Sequence, residues 1–210
     1  MAVKLIIFDF WKTLAYPVKT DPEKFYSSLG AFGIKLNTLE ERKYFSSMFS
    51  KLMCISRDWN DFAKHIFRNF AKDLKEKNLS NLVDFLKKEC RFNLYDDVKE
   101  VSKLSFKKVI LTDSSKFLVE SVGLKGFSAI FTPHETKALK PDPKVFMTVI
   151  NSFGLKPEEA VMIGDDIERD LITPQKLGMK TILIDREDKF KEYQGVRINS
   201  LREVKVLLKL

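Results

Sequence analysis

The chain has 210 residues, 44% hydrophobic and 31% charged, enough to bury one large core or a core and a smaller companion, and this composition excludes a largely disordered protein. No apolar stretch approaches the roughly 20 residues of a membrane span; the short apolar run at the start contains Asp9 and Trp11 and lacks a small-residue cleavage site, so it reads as a buried strand of a cytoplasmic protein and not as a signal peptide. The formal charge of +8 does not indicate nucleic acid, because lysines alternate with acids in segments such as FAKDLKEKN instead of forming a block.

In chain order, VKLIIFD (residues 3–9) is apolar on both faces, the pattern of a central strand in a parallel sheet covered by helices. From about residue 17 to 98 no convincing strand is visible. Instead, DPEKFYSSLGAFG, TLEERKYFSSMFSKLMCI, DWNDFAKHIFRNFAKDLKEK and LSNLVDFLKKE show apolar residues at helical spacing, with caps expected at Asp21, Thr38 and Asp58 and Pro22 at a first helical position. The Phe and Met stripes of this helical insert suit interhelix packing. Cys54 and Cys90 stand far apart without metal-type spacing and read as two buried free thiols. Abundant Lys and Glu with few Gln and His suit a hot environment.

Strand-helix alternation then resumes: KKVILTD, SSKFLVESVG, SAIFTP, DPKVFMTVINSFG, AVMIGD, DIERDLITPQKLG and KTILID, followed by a short GVRI strand and a helix, LREVKVLLK. Gly154 and Gly178 are natural helix stops. Alternation of this kind predicts right-handed βαβ units in a doubly wound parallel sheet with helices on both faces. In such a sheet, ligands bind outside the carboxyl ends of the strands. Delivered there are Asp9, Thr112, Asp113, Ser114, Lys140 from KALKPDP, Asp165 and Asp166, with Asp170 one turn further on. Each has a plainer role available, as strand terminus, helix cap or solvated loop residue. Together they converge like charges on one rim, which repel unless a cation is shared, and hard oxygen donors of this type suit Mg²⁺.

The stretch from Asp9 to Thr13, then VILTDSS, KPDP and MIGDDIERD, in that order with a helical insert after the first, resembles the four motifs of the haloacid dehalogenase (HAD) superfamily. The resemblance covers nearly the whole chain. It implies a HAD-like Rossmannoid core at residues 1–16 and 99–210 and a type 1 helical cap at residues 17–98. It further implies that Asp9 is the nucleophile that forms an aspartyl intermediate, and that Thr112, Asp113 and Lys140 hold the phosphoryl group. Mg²⁺ is expected on Asp9, the main-chain carbonyl of Trp11 and Asp165, with Asp166, Asp170 and Thr13 in support.

Two positions depart from the family's D-x-D-G-T pattern: Trp11 stands where its phosphatases carry the general acid and base, and Lys12 where they carry glycine. Indole can neither protonate a departing alkoxide nor activate water, although a main-chain carbonyl survives any side-chain change. General acid-base catalysis contributes roughly 10²- to 10⁴-fold of an acceleration on the order of 10⁶-fold or more, so the resemblance implies a weak or atypical phosphatase suited to acyl or aryl phosphates. Lys12 implies either a different turn or an outward-pointing side chain, with proton supply to the leaving group as its functional alternative. The cap residues Arg57, Trp59 and His65 either line its inner surface or serve packing and solvation. The expected function is a Mg²⁺-dependent HAD-type hydrolase, monomeric or homodimeric, acting on a small phosphorylated compound without nucleic acid or membrane as partner. A non-catalytic protein binding a phosphorylated ligand or another protein, and a 2-haloacid dehalogenase, are the alternatives; retained Asp165 favours phosphate over halide.

Overall fold

The computed structural model describes residues 2–71 and 76–208, which fall into two compact units. The first comprises residues up to Tyr16, Leu94–Asp113 and Val122 onward; the second comprises Pro17–Asn93 with Ser114–Ser121. No helix among the described residues is long and apolar enough to cross a membrane.

The chain begins with β1 (Leu5–Phe8), turns tightly and forms β2 (Ala15–Pro17). Four helices follow, α1 (Pro22–Leu29), α2 (Leu39–Ile55), α3 (Trp59–Phe70) and α4 (Glu76–Glu89). β3 (Phe92–Leu94) pairs with β2 in a separate ribbon. After α5 (Val98–Ser102) come β4 (Lys107–Leu111), α6 (Lys116–Ser121), β5 (Ala129–Phe131), α7 (Pro133–Thr136), α8 (Pro143–Ser152) and β6 (Ala160–Gly164). A π-helical segment, Ile167–Ile172, runs into α9 (Thr173–Lys176), and β7 (Lys180–Ile184), β8 (Arg197–Ile198) and α10 (Val204–Leu207) complete the chain.

Two local differences from the sequence reading have simple causes. β3 lies in the stretch read as strand-free, because three residues are too few to display an alternating pattern. The helix expected over DIERDLITPQKLG starts as a π-helix, a wider winding that a six-residue segment cannot reveal by its apolar spacing. The predicted helical run through residues 72–75 lies outside the described residues.

In the first unit the sheet order is β5-β4-β1-β6-β7-β8, with every neighbouring pair parallel. Phe8 pairs with Ile110 on one flank and Ile163 on the other, which levels the ends of the three central strands. From β1 the chain steps outward to β4 and β5, then crosses to β6 on the opposite flank. That reversal of direction opens a crevice at the carboxyl ends of β1 and β6. One face of the sheet is sealed by Leu5, Ile7, Val109, Leu111 and Met162 packed on Val145, Phe146, Val149 and Ile150 of α8. Fully burying such a side chain stabilises by about 1.5–3 kcal/mol. α8 ends where Gly154 takes a left-handed conformation, φ 62°, with Leu155 N–H returning to the Ile150 carbonyl.

The second unit is built on helices whose starts are capped as the sequence implied. Asp21 accepts from the N–H of Glu23 and Lys24, Thr38 and Glu41 form a reciprocal capping box, and Asp58 accepts from Asp61 N–H. Their apolar faces meet in a cluster around Phe45, Phe62, Phe67, Leu82 and Leu86. Trp59 belongs to this packing, edge-on to Phe117 at 4.9 Å. Arg57 is solvated and paired with Asp61, and His65 Nδ1 shares a hydrogen bond with the Ser56 hydroxyl at 2.9 Å. Cys54 and Cys90 are half-buried; burial pushes the Cys90 thiol up to about 12, which disfavours the reactive thiolate.

Four segments of the first unit are tied together around one ion pair. The Arg186 guanidinium meets the Asp97 carboxylate in a two-pronged contact at 2.9 and 3.0 Å, stacks over Tyr95 at 3.7 Å, and donates to the Thr13 carbonyl at 2.7 Å. Asp97 also accepts from the Ser200 hydroxyl and the Leu201 N–H. Burial raises the Asp97 pKa, but these donors outweigh it and hold the carboxyl below its ordinary value. A lowered folded-state pKa supplies stability above the unfolded value of about 3.9 that is lost as pH falls through the folded value. Asp97→Asn is therefore expected to cost about 3 kcal/mol at neutral pH by stranding Arg186. In urea titrations the gap between variant and wild type should shrink on acidification below about pH 4.

Candidate active site

β1 ends on Asp9, whose N–H bonds the Ile163 carbonyl of β6 at 2.9 Å, so the strand pairing itself fixes where the carboxylate emerges. Lys140 arrives from the loop before α8, its main-chain N–H held by Asp113 Oδ1 at 3.1 Å. Its Nζ donates to Asp9 Oδ1 at 2.5 Å and to Asp170 Oδ1 at 2.6 Å. The three side chains are only 4%, 7% and 2% exposed, so this contact operates with little solvent screening. Asp170 sits one turn into the π-helical segment, with its N–H on the Asp166 carbonyl and its Oδ2 accepting from Asp166 N–H. Gly164 makes that position possible: a Cβ there would lie 2.5 Å from the Cβ and Cγ of Asp170.

Asp9, Asp165 and Asp170 each bring one carboxylate oxygen within 4.8 Å of the others, against one ammonium. Burial pulls the Lys140 pKa down, yet the charges of Asp9 and Asp170 more than reverse this and hold it above the usual lysine range. Burial pushes Asp165 up to about 6, with Asp9 adding repulsion and Lys12 relieving part of it. Asp170 is pushed up to about 7, first by burial and then by Asp9, although Lys140 opposes the rise. Asp165 accepts no hydrogen bond among the described residues and is half-buried. Uncompensated negative charge from hard oxygen donors is what a divalent cation such as Mg²⁺ neutralises, so the residues fit that ion.

The other rim residues named from sequence take distinct places. Trp11, Thr112, Asp113 and Asp166 line the same crevice as the four charged residues above. Thr112 is buried at the end of β4, its N–H on the Phe131 carbonyl. Asp166 caps the π-helical turn through the N–H groups of Glu168 and Arg169. Trp11 is half-buried, with its ring edge-on to Phe10 at 5.2 Å. Thr13 is fully buried, does not line the crevice, and contributes its carbonyl to Arg186. Ser114 lies outside the lining. Lys12 keeps the left-handed backbone, φ 53°, of a glycine-type turn, and its side chain is exposed. The turn is closed by Lys12 N–H to the Ala15 carbonyl and by Leu14 and Ala15 N–H to the Phe10 carbonyl.

Sequence reasoning missed Arg169, which lines the crevice and pairs with Asp113. Its position in IERD, one residue before Asp170 on a segment aimed at the rim, was the available signal. Arg186 and Asp97 were missed for a different reason, since nothing local marks two residues so far apart as partners.

The site thus combines a parallel α/β sheet with acids after β1 and β6 that share one buried lysine at the switch point. The description "haloacid dehalogenase-like hydrolase" matches residues 3–178, and the chain belongs to that family. It is similar to the pyrophosphatase PpaX of Bacillus cereus, 32% identical over 97 residues that cover 43% of this chain and 44% of the relative. It is also similar to a phosphoserine phosphatase of Thermus thermophilus, 32% identical over 81 residues covering 37% and 32% of the two chains. The chain spans less than half the length of these curated relatives that it matches. Among solved structures, a HAD phosphatase from Thermococcus onnurineus superposes with a TM-score of 0.64 at 24% identity, covering 98% of both chains. A 2-haloacid dehalogenase from Pseudomonas syringae pv. Tomato gives 0.71 at 18% identity over 99% and 98%. These likenesses show the fold.

Raised carboxyl pKa values at Asp165 and Asp170 mean that the folded, metal-free chain holds protons the unfolded chain releases. Stability should then fall as pH rises from about 4, near the unfolded value, through about 6 and about 7, the folded values. Thermal melts in EDTA are expected to show this decline, and added Mg²⁺ should restore stability more at pH 8 than at pH 5.

Proposed function

We propose that the protein is a Mg²⁺-dependent phosphohydrolase that moves the phosphoryl group of a small phosphorylated compound to Asp9 and then to water. The observation that carries this reading is the buried Lys140 ammonium bridging Asp9 and Asp170 beside Asp165. In the first step an Asp9 carboxylate oxygen attacks phosphorus, and the bond to the leaving oxygen breaks with its electron pair going to that oxygen. Lys140 holds Asp9 in place and offsets the charge of the incoming phosphoryl group. Thr112 and the Asp113-anchored main chain of Lys140 position that group. Asp9, Asp165 and the Trp11 main-chain carbonyl would hold Mg²⁺, supported by Asp166 and Asp170; when bound it supplies the positive charge that lets two anions approach. In the second step water attacks phosphorus, inorganic phosphate departs and the Asp9 carboxylate is regenerated.

Support comes from the relatives, a pyrophosphatase and a phosphoserine phosphatase by name, and from a donor set suited to a divalent ion. Retained Asp165 favours phosphate over halide, because a phosphoryl group can share the cation that Asp165 would hold. The helical unit would serve as the substrate-selecting cap, and the protein would act in the cytoplasm as a monomer or homodimer.

Trp11 affects the two steps unequally. An aryl or acyl leaving group departs without a proton, but hydrolysis of the aspartyl phosphate still needs activated water, and base catalysis is worth roughly 10²- to 10⁴-fold. With p-nitrophenyl phosphate and Mg²⁺, stopped-flow absorbance should show a burst near one equivalent of nitrophenol followed by a much slower steady state. Asp9→Asn should abolish both phases. Trp11→Asp should raise the steady rate on the order of 10²-fold. Steady turnover that survives Asp9→Asn would remove the covalent mechanism.

A further inference from the structure

The crevice at Asp9 encloses about 170 Å³, room for a phosphoryl group and little more. Beside it, and built wholly from the first unit, opens a cavity of about 550 Å³, within the size range of small-molecule sites. Lys12, Asp165 and Asp166 line both, so the two spaces share a wall. Tyr95, Ile172, Ile184 and Phe190 give the larger cavity an apolar lining. Ile172 and Phe190 are 38% and 40% exposed, so both are accessible to an apolar group bound in the cavity.

The charged groups around this cavity are mostly committed elsewhere. Arg186 is held by Asp97, Lys189 by Glu187, and Asp185 by Arg197 and the N–H groups of Lys189 and Phe190. Among the described lining residues Asp165, Glu168 and Lys12 are the exceptions, and of these Lys12 is the cation. Its ammonium makes no hydrogen bond or ion pair among the described residues, and its backbone sits at φ 53°, a conformation that costs a residue with a Cβ roughly 1–2 kcal/mol. Strain of this kind concentrates where a side chain is needed for function.

We infer that the larger cavity binds the leaving group of the substrate, that this group is aromatic, and that Lys12 stabilises the oxygen anion as it departs. The inference rests on the phosphohydrolase reading and names its substrate class. With indole at position 11 no acid is in place, so the departing oxygen must leave as an anion. As the bond from Asp9 to phosphorus forms, the bond from phosphorus to the aryl oxygen breaks and its electron pair stays on that oxygen. The ring delocalises the charge, the Lys12 ammonium on the shared wall offsets it, and the phenolate takes its proton from solvent after release.

The test compares kcat/KM for 1-naphthyl phosphate with that for acetyl phosphate, which carries no ring, using the full chain with Mg²⁺. Ile172→Trp, which fills the cavity, and Phe190→Ala, which removes a wall, are expected each to lower the naphthyl-to-acetyl ratio by about tenfold or more. Lys12→Ala should lower kcat for the naphthyl ester more than it changes KM. A ratio unchanged in both wall variants overturns the inference. Calorimetric titration of Asp9→Asn separates this from failure of the phosphohydrolase reading: 1-naphthyl phosphate should bind more tightly than inorganic phosphate, and adding Ile172→Trp should erase the difference. If neither ester is turned over but that binding difference is found, the reaction is wrong and the cavity assignment stands. Equal binding of the two ligands overturns the cavity assignment whatever the kinetics.

Discussion

One buried ammonium between two carboxylates sets the terms for the rest of the core unit. Lys140 can lose its solvent shell only because Asp9 and Asp170 meet it on two sides, and a buried pair missing one partner is strongly destabilising. Each member therefore constrains a separate segment. Asp9 must end β1 level with β6, Lys140 must be carried inward by its loop, and Asp170 must lie flat against the end of β6. The last demand explains why β6 ends in Gly164, where any side chain would collide with Asp170. Asp9, Asp165 and Asp170 outnumber the Lys140 ammonium three to one, and in the metal-free chain protons on Asp165 and Asp170 relieve part of the excess.

A second ion pair acts on the scaffold and not on the chemistry. Arg186 and Asp97 join the turn after β7, the segment before α5 and the turn before α10, and through the Thr13 carbonyl they also grip the loop that follows Asp9. Asp9 is thus held from below by strand pairing and from the far end of its loop by a guanidinium. Precision at Asp9 comes from main-chain contacts on both sides of it.

The architecture was legible in the sequence because its signals are local. Apolar runs closed by Asp9, Asp113 and Asp165 mark strands whose ends face one rim, and Asp21, Thr38 and Asp58 announce helices by the hydrogen bonds their side chains can make. The π-helical winding was hidden because six residues fit either period, and β3 because three residues show none. The pairings of Arg169 with Asp113 and of Arg186 with Asp97 were hidden because long-range ion pairs leave no spacing to read. The apolar cavity was invisible for the same reason, since Tyr95, Ile172, Ile184 and Phe190 come from four separate segments and look like ordinary packing residues one at a time.

The turn after Asp9 is closed entirely by main-chain groups, through Lys12 N–H, Leu14 N–H and Ala15 N–H. A scaffold wired this way separates the route of the loop from the chemistry displayed on it, so residues beside Asp9 can be exchanged while its coordinates stay put. New reactivity on such a core needs no new fold, only different decoration of a turn whose shape is already guaranteed.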